Sequence, residues 1–121
     1  MSLYFIPWEV SLLQQLTSKI VGFRDQRNWG QFHNAKDLAI SLSLEASELL
    51  ELFQWEQSDN VVTDRREDIK DELADVLYYV LLMSHDLGIN IEEALESKLK
   101  KNEKKYPVDK AYGSNKKYTE F

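Results

Sequence analysis

The sequence predicts an all-α fold, a bundle of four helices joined by short loops. Its 121 residues include only four Gly and two Pro, which disfavours turn-rich sandwiches and barrels and leaves room for long helices. Apolar residues recur at spacings of three and four along most of the chain, which is the period of an amphipathic helix. A chain of this length forms one domain with a modest core.

The first predicted helix runs from about Pro7 to Arg27, because proline suits the first turn of a helix. Its apolar stripe follows helical spacing and consists of Leu12, Leu16, Ile20 and Phe23. Residues 28–33 then form a connector that is unusually aromatic for a loop.

Two more helices are predicted in the middle of the chain. Asn34 suits the N-cap of the second helix, which extends to about Trp55. The polar stretch 56–63 interrupts the apolar pattern. The third helix begins near Asp64 and ends at Gly88, a residue type that favours the position after a helix.

The fourth helix is predicted from its two ends. Asn90 and Glu93 have the spacing of a capping box, and Pro107 stops the helix. Residues 1–108 are therefore predicted to form the domain, and residues 109–121 an irregular basic arm.

Composition narrows the class of protein. The chain has no Cys, which excludes disulfide scaffolds, thiolate metal sites and cysteine nucleophiles. Its N-terminus lacks the pattern of a signal peptide, and its longest apolar run, residues 77–83, is too short to span a membrane. We therefore expect a soluble cytoplasmic protein that does not enter a membrane.

The net charge of −6 is unevenly distributed. Residues 1–97 carry 7 Lys and Arg against 18 Asp and Glu, whereas residues 98–121 carry 8 Lys against 3 acids. A protein that binds a nucleic acid polymer needs a broad positive surface, so this balance argues against that class. It suits a site where acids hold a cation and lysines meet phosphate, although a solvated surface with a basic tail has the same pattern.

Glu45 interrupts an apolar stripe of the second helix. Leu38, Leu42, Leu49 and Leu52 lie on one face, and position 45 falls in the middle of it. An unpaired buried carboxylate costs several kcal/mol, and residues 38–56 contain no Lys or Arg to offset that cost. Glu48 follows one turn later on the same side.

The third helix carries a second acidic pair, Glu72 and Asp75, beside its most apolar stretch. Two helices that direct such pairs toward one interior make an oxygen-only cage, which suits Mg²⁺ and also Mn²⁺. A ferritin-like di-iron site is disfavoured because neither Glu45 nor Glu72 is followed by His at the third position. Acidic pairs three residues apart are also common on solvated helix surfaces, so each pair alone is a weak signal.

Several short motifs stand in a recognisable order: WGQFH at 29–33, LEASEL at 44–49, FQW at 53–55, ELADVLYY at 72–79 and KYP at 105–107. With them the chain resembles the MazG-like all-α nucleoside triphosphate pyrophosphohydrolases, and most of all their dCTP pyrophosphatase branch. The resemblance covers roughly residues 20–108. It implies a MazG-type four-helix domain whose core is completed by formation of a homodimer or homotetramer.

The resemblance implies that Glu45, Glu48, Glu72 and Asp75 bind Mg²⁺, with Mn²⁺ as a substitute. It implies conversion of a nucleoside triphosphate, such as dCTP or a related or modified pyrimidine nucleotide, to the monophosphate and pyrophosphate. Attack is expected at the α-phosphorus. Glu48 is the candidate to orient or deprotonate the attacking water, with Glu45 as the second catalytic candidate.

Substrate contacts are then expected from aromatic and cationic side chains. Lys98, or Lys36 or Lys105, would meet the phosphates, and Asn102 the sugar or base. The candidates for stacking and edge contacts with the base are Trp29, Phe32, His33, Trp55 and Tyr79. Phe32 and Trp55 fit a protein core equally well, and Lys36 and Lys105 fit a solvated surface.

Two other functions are compatible with the sequence. One is a non-catalytic helical module that dimerises through its third helix, and the other is a regulatory domain that binds a nucleotide or metal without hydrolysing it. The sequence leaves open the preferred base and sugar, the number of metal ions and the size of the oligomer.

Overall fold

A computed structural model of the protein describes residues 10–121. Within that range all regular structure is helical and there is no strand, so the prediction of an all-α fold is confirmed. In chain order the α-helices are α1 (Leu12–Gln26), α2 (Ala35–Glu51), α3 (Ser58–Asp64), α4 (Arg66–Asp86), α5 (Ile91–Lys105) and α6 (Val108–Ala111). The four long ones, α1, α2, α4 and α5, correspond to the four predicted helices.

The N-terminal ends of the long helices have local causes. The predicted start at Pro7 lies outside the described residues, and α1 begins instead after Ser11, which forms a capping box with Gln14. The Asn34 side chain caps α2 by accepting a hydrogen bond from the Asp37 amide. Asn90 caps α5 in the same way, at 3.2 Å from the Glu93 amide nitrogen.

The segment between the second and third predicted helices differs from the prediction. The second helix ends at Glu51 rather than near Trp55, and Trp55 has a left-handed backbone with φ of 64°. A residue other than glycine is strained in the left-handed region, and a right-handed helix cannot continue through Trp55 in this conformation. The polar stretch 56–63 interrupts the apolar pattern between two predicted helices, yet most of it forms a helix of its own, α3, where Val61 is buried.

The chain divides into two compact units between Gly88 and Ile89. In the first unit α4 contacts α1, α2 and α3, and its contact with α2 is the most extensive. Among the described residues the fully buried apolar side chains of this unit are few: Leu38, Val61, Leu81 and Leu82. Residues 10–88 thus form a small core in which α4 is the central element.

The apolar stretch of α4 is only partly covered by this chain. Leu81 and Leu82 are buried, whereas Leu73 and Leu77, expected to be buried as well, are 53% and 42% exposed. Residues 73–83 are apolar almost all round the helix, a pattern that predicts burial on more than one side. In the isolated chain that prediction holds only for the second half of the helix.

The second unit, Ile89–Phe121, contains α5, α6 and a short 3-10 helix at Tyr118–Glu120. The arm predicted to be irregular thus contains helical turns. Its last residues pack on the end of α5, where the Tyr106 ring makes edge contacts with Tyr118 and Phe121. The predicted domain boundary after residue 108 stays a prediction.

Candidate functional site

The contact between α2 and α4 brings three of the predicted acids together. Glu45 lies on α2, and Glu72 and Asp75 lie one turn apart on α4. Each offers a carboxylate oxygen, and these three oxygens lie within 4.8 Å of one another. Glu45 and Glu72 are half-buried, and Asp75 is exposed. We call these three residues, together with Glu48, the acidic cluster.

Glu48 is placed differently from the other members. It does not belong to the group of three whose oxygens converge within 4.8 Å, and its side chain is exposed. Its carboxylate is nevertheless close enough to raise the pKa of both Glu45 and Glu72. Glu48 therefore stands at the edge of the acidic cluster.

The acidic cluster has no positive charge to balance it. In the part of the chain that the structure describes, no ion pair involves any of its four carboxylates. Burial raises the pKa of Glu45 to about 7, and the charges of Glu48, Asp75 and Glu72 add to that rise. Burial and the neighbouring acids raise the pKa of Glu72 as well.

A divalent cation fits this arrangement. One oxygen of Glu45 and one of Glu72, both Oε2, are buried and accept no hydrogen bond. Unpaired buried acceptors are rare because each loses its hydration without compensation. Carboxylate oxygens are the ligands that Mg²⁺ and Mn²⁺ prefer, so a hard cation would satisfy both the charge and the unpaired oxygens.

A cavity of about 460 Å³ opens beside the acidic cluster, a volume in the range of small-molecule sites. Glu45 and Asp75 form its acidic side. Its other lining residues come from α1, the connector and α4, and they are Lys19, Ile20, Phe23, Trp29, Tyr78 and Tyr79. The cavity therefore joins a cation-binding group to an apolar, aromatic surface.

The aromatic residues of the cavity pack edge to face. The centroid of the Phe23 ring lies 5.8 Å from that of Trp29 and 6.3 Å from that of Tyr78. The ring centroids of Tyr78 and Tyr79 are 5.0 Å apart. Arg27 covers Phe23, with its guanidinium 3.7 Å from the ring centroid. We call these four rings, those of Phe23, Trp29, Tyr78 and Tyr79, the aromatic wall. Their faces and edges are available to a planar ligand.

A partly buried ion pair supports the connector that carries Trp29. Arg24, on α1, donates two hydrogen bonds of 2.7 and 2.8 Å to the Asp86 carboxylate at the end of α4. The Arg24 guanidinium nitrogen Nη1 also lies 3.4 Å from His33 Nδ1. Gly30 lies close to the same side chain, because a Cβ added at Gly30 would be 3.7 Å from Arg24 Nε. Arg24 thus joins α1, α4 and the 3-10 helix Trp29–Phe32.

The predicted substrate contacts fall into three groups. Trp29 and Tyr79 line the cavity. His33 contacts Arg24, and Trp55 is 92% exposed outside the cavity. Lys98 and Asn102 lie one turn apart on α5, in the second unit, and their role stays a prediction.

Phe32 and Lys36, two of the weaker candidates, do not line the cavity. Phe32 is 66% exposed, and Lys36 pairs with Asp37 at 3.4 Å. Lys105, in the second unit, lies 5.0 Å from the centroid of the Tyr118 ring.

Four cavity residues were not predicted as site residues: Lys19, Ile20, Phe23 and Tyr78. Phe23 belonged to the predicted core stripe of α1, and Lys19 lies one turn before it, on the same face. Their spacing was a signal, because a lysine aligned with an apolar stripe points toward a boundary of the core. Tyr78 adjoins Tyr79 but gave no signal of its own.

The chain is similar to proteins of known family. The MazG-like family profile matches residues 40–121. The mouse and human proteins named dCTP pyrophosphatase 1 are both 34% identical to the chain over 104 residues, which covers 82% of it. The chain spans only 61% of the length of those relatives.

A solved structure is also similar. The crystal structure of a pyrophosphatase from Archaeoglobus fulgidus superposes with a TM-score of 0.76 at 42% sequence identity. The match covers 80% of this chain and 94% of the archaeal one. Residues 10–121 contain no helix long and apolar enough to cross a membrane. The match to the family profile over most of the chain, together with these relatives, shows that the chain belongs to the MazG-like family.

Proposed function

We propose that this chain is a magnesium-dependent nucleoside triphosphate pyrophosphohydrolase. The observation that carries the proposal is the pair of unpaired buried oxygens of Glu45 and Glu72 at the side of an aromatic cavity. Relatives that are named dCTP pyrophosphatase and a similar structure named pyrophosphatase support the same activity. They also make dCTP, or a related or modified pyrimidine nucleotide, the first substrate to test.

In the proposed reaction, water attacks the α-phosphorus of the nucleoside triphosphate. The bond from that phosphorus to the oxygen bridging to the β-phosphorus breaks, which releases pyrophosphate and leaves the monophosphate. Glu45, Glu72 and Asp75 would hold the cation, with Glu48 beside them. When bound, Mg²⁺ supplies positive charge that offsets the charge of the phosphates and favours ionisation of water.

The chain's own residues divide the remaining work. Glu48, which stands outside the converging group of three, is the candidate to orient the attacking water and take its proton. The aromatic wall would hold the base, with Trp29 and Tyr79 among its contacts. Trp55, His33, Lys98 and Asn102 remain proposed substrate contacts.

The proposal includes a homodimer or homotetramer. Leu73 and Leu77 lie one turn apart on α4, and both are about half exposed in the single chain. A second copy that packs on this face would bury them and complete the core of α4. Light scattering of the purified protein measures the mass, and a monomer at micromolar concentration would contradict this part of the proposal.

Release of pyrophosphate from a panel of the common nucleotides tests the function. With Mg²⁺ we expect pyrophosphate from dCTP or a related pyrimidine triphosphate, and EDTA should abolish it. The Glu72→Gln variant should lose the activity, while the matched Asp71→Asn variant, at the neighbouring exposed position, should keep it. A panel without any pyrophosphate release would rule out the enzyme and favour a binding module.

A further inference from the structure

Among the described residues that line the cavity beside the acidic cluster, one is a lysine, Lys19. Residues 10–88 contain seven cationic side chains. Five of them have a partner: Arg24 pairs with Asp86, Lys36 with Asp37, Arg65 with Asp68 and Lys70 with Glu67, and Arg27 covers the Phe23 ring. Lys19 and Arg66 have no ion pair within the described residues, and of these two only Lys19 lines the cavity.

The position of Lys19 relates it to both sides of the cavity. It lies on α1 one turn before Phe23, a ring of the aromatic wall, and it shares the cavity with Glu45 and Asp75. It makes no ion pair with either carboxylate, and its side chain is exposed. The ammonium group is therefore available to an anion that enters the cavity.

The charge of the proposed substrate supplies such an anion. A nucleoside triphosphate brings several negative charges next to carboxylates that already repel one another. A lysine ammonium in the same cavity offsets part of that repulsion, and its long flexible side chain can follow the phosphates. A nucleobase, by contrast, is matched by the aromatic rings and needs no positive charge.

We propose that Lys19 is a substrate-binding residue that contacts the phosphate chain of the nucleoside triphosphate. The inference rests on the proposed function and places one phosphate contact on α1. The phosphate contacts considered from the sequence were instead Lys36, Lys98 and Lys105.

Steady-state kinetics of the Lys19→Met variant test this assignment. Methionine keeps most of the length of the side chain and removes its charge. We expect the KM for the nucleoside triphosphate to rise about tenfold, since one charged contact is lost, while kcat changes less than about threefold. Arg66→Met is the matched control, because it removes an unpaired cation outside the cavity and should leave KM unchanged.

Direct binding separates a phosphate contact from a base contact. Calorimetric titration in the presence of Mg²⁺ should show that Lys19→Met weakens binding of inorganic pyrophosphate about tenfold and leaves binding of deoxycytidine unchanged. Lys19→Arg should keep most of the affinity for pyrophosphate because it keeps the charge. Equal weakening for deoxycytidine and pyrophosphate would overturn the proposal, since it would indicate a general change in the cavity.

The two proposals fail in different ways. Wild-type protein without activity on any nucleotide would overturn the pyrophosphohydrolase function and, with it, this role of Lys19. Active wild-type protein with an unchanged KM in Lys19→Met would overturn the role of Lys19 alone.

Discussion

Two groups of charged side chains in the first unit are built in opposite ways. Arg24 and Asp86 form a partly buried pair with two short hydrogen bonds, and the side chains are 8% and 27% exposed. These hydrogen bonds lower the pKa of Asp86 and raise that of Arg24. Among residues 10–121 no cationic side chain pairs with the acidic cluster, two of its buried oxygens are unpaired, and the pKa of Glu45 is raised to about 7.

The ion pair is suited to holding the fold together, whereas the acidic cluster is suited to binding a cation. The Arg24–Asp86 pair is balanced in charge and joins the ends of two helices, so it needs no external ion, although Arg24 Nε is buried without a hydrogen-bond partner. The acidic cluster is unbalanced in the chain alone, and an external cation is what would balance it.

Removing one charge from the acidic cluster should abolish activity without harming the fold. We expect Glu45→Gln to reduce the rate of pyrophosphate release on the order of a hundredfold or more, since a cation ligand is lost. In buffer with EDTA its Tm should equal or exceed that of the wild type, because one of the mutually repelling carboxylates is gone. Activity assays and thermal denaturation measure the two effects.

Glu51→Gln is the control for that experiment, because Glu51 lies on the same helix and is exposed. It should change neither activity nor Tm. A Glu45→Gln protein that unfolds, combined with full activity of Glu72→Gln, would show that the acids are structural.

Removing one charge from the balanced pair should have the reverse outcome, a loss of stability. Arg24→Met removes two charge-assisted hydrogen bonds to the Asp86 carboxylate, and we expect a loss of about 2 kcal/mol in the free energy of unfolding. Chemical denaturation measures it. The exposed pair Lys70–Glu67 is the control, and Lys70→Met should cost less than about 0.5 kcal/mol. Equal effects of the two variants would contradict a structural role for Arg24.

The pH dependence of stability should show the smallest effect. The pKa of Asp86 lies below its ordinary value of 3.8 in the folded protein, so its carboxylate stabilises the fold above about pH 4. That stabilisation is lost as the pH falls through the lowered pKa. The Tm difference between wild type and Asp86→Asn should therefore be larger at pH 6 than at pH 3, and a constant difference would argue against the ion pair.

Local signals made the long helices and Glu45 predictable. Caps such as Asn34 act on neighbouring residues, and a charge within a leucine stripe is visible in the sequence itself. The Arg24–Asp86 pair was not predictable, because the two residues lie 62 positions apart and neither interrupts an apolar pattern. The same reason explains His33, whose contact with Arg24 depends on how the connector folds back on α1.

Two other features were not predicted, the helix α3 and the position of Lys19 in the cavity lining. The polar stretch that forms α3 has too few apolar residues to show helical period, and its burial depends on Val61 alone. Lys19 was missed because its alignment with the apolar stripe of α1 marks a boundary of the core but does not show that a cavity lies there.

Trp29 and Trp55 differ in exposure, so their fluorescence reports on different parts of the protein. Trp55 is 92% exposed, so iodide should quench its fluorescence and its emission should lie at long wavelength. Trp29 is 43% exposed, lies against Phe23 and lines the cavity, so its emission should respond when the cavity fills. Replacing Trp55 and Trp8, the latter outside the described residues, with Phe would isolate the signal of Trp29. Filling of the cavity could then be followed in real time without a label.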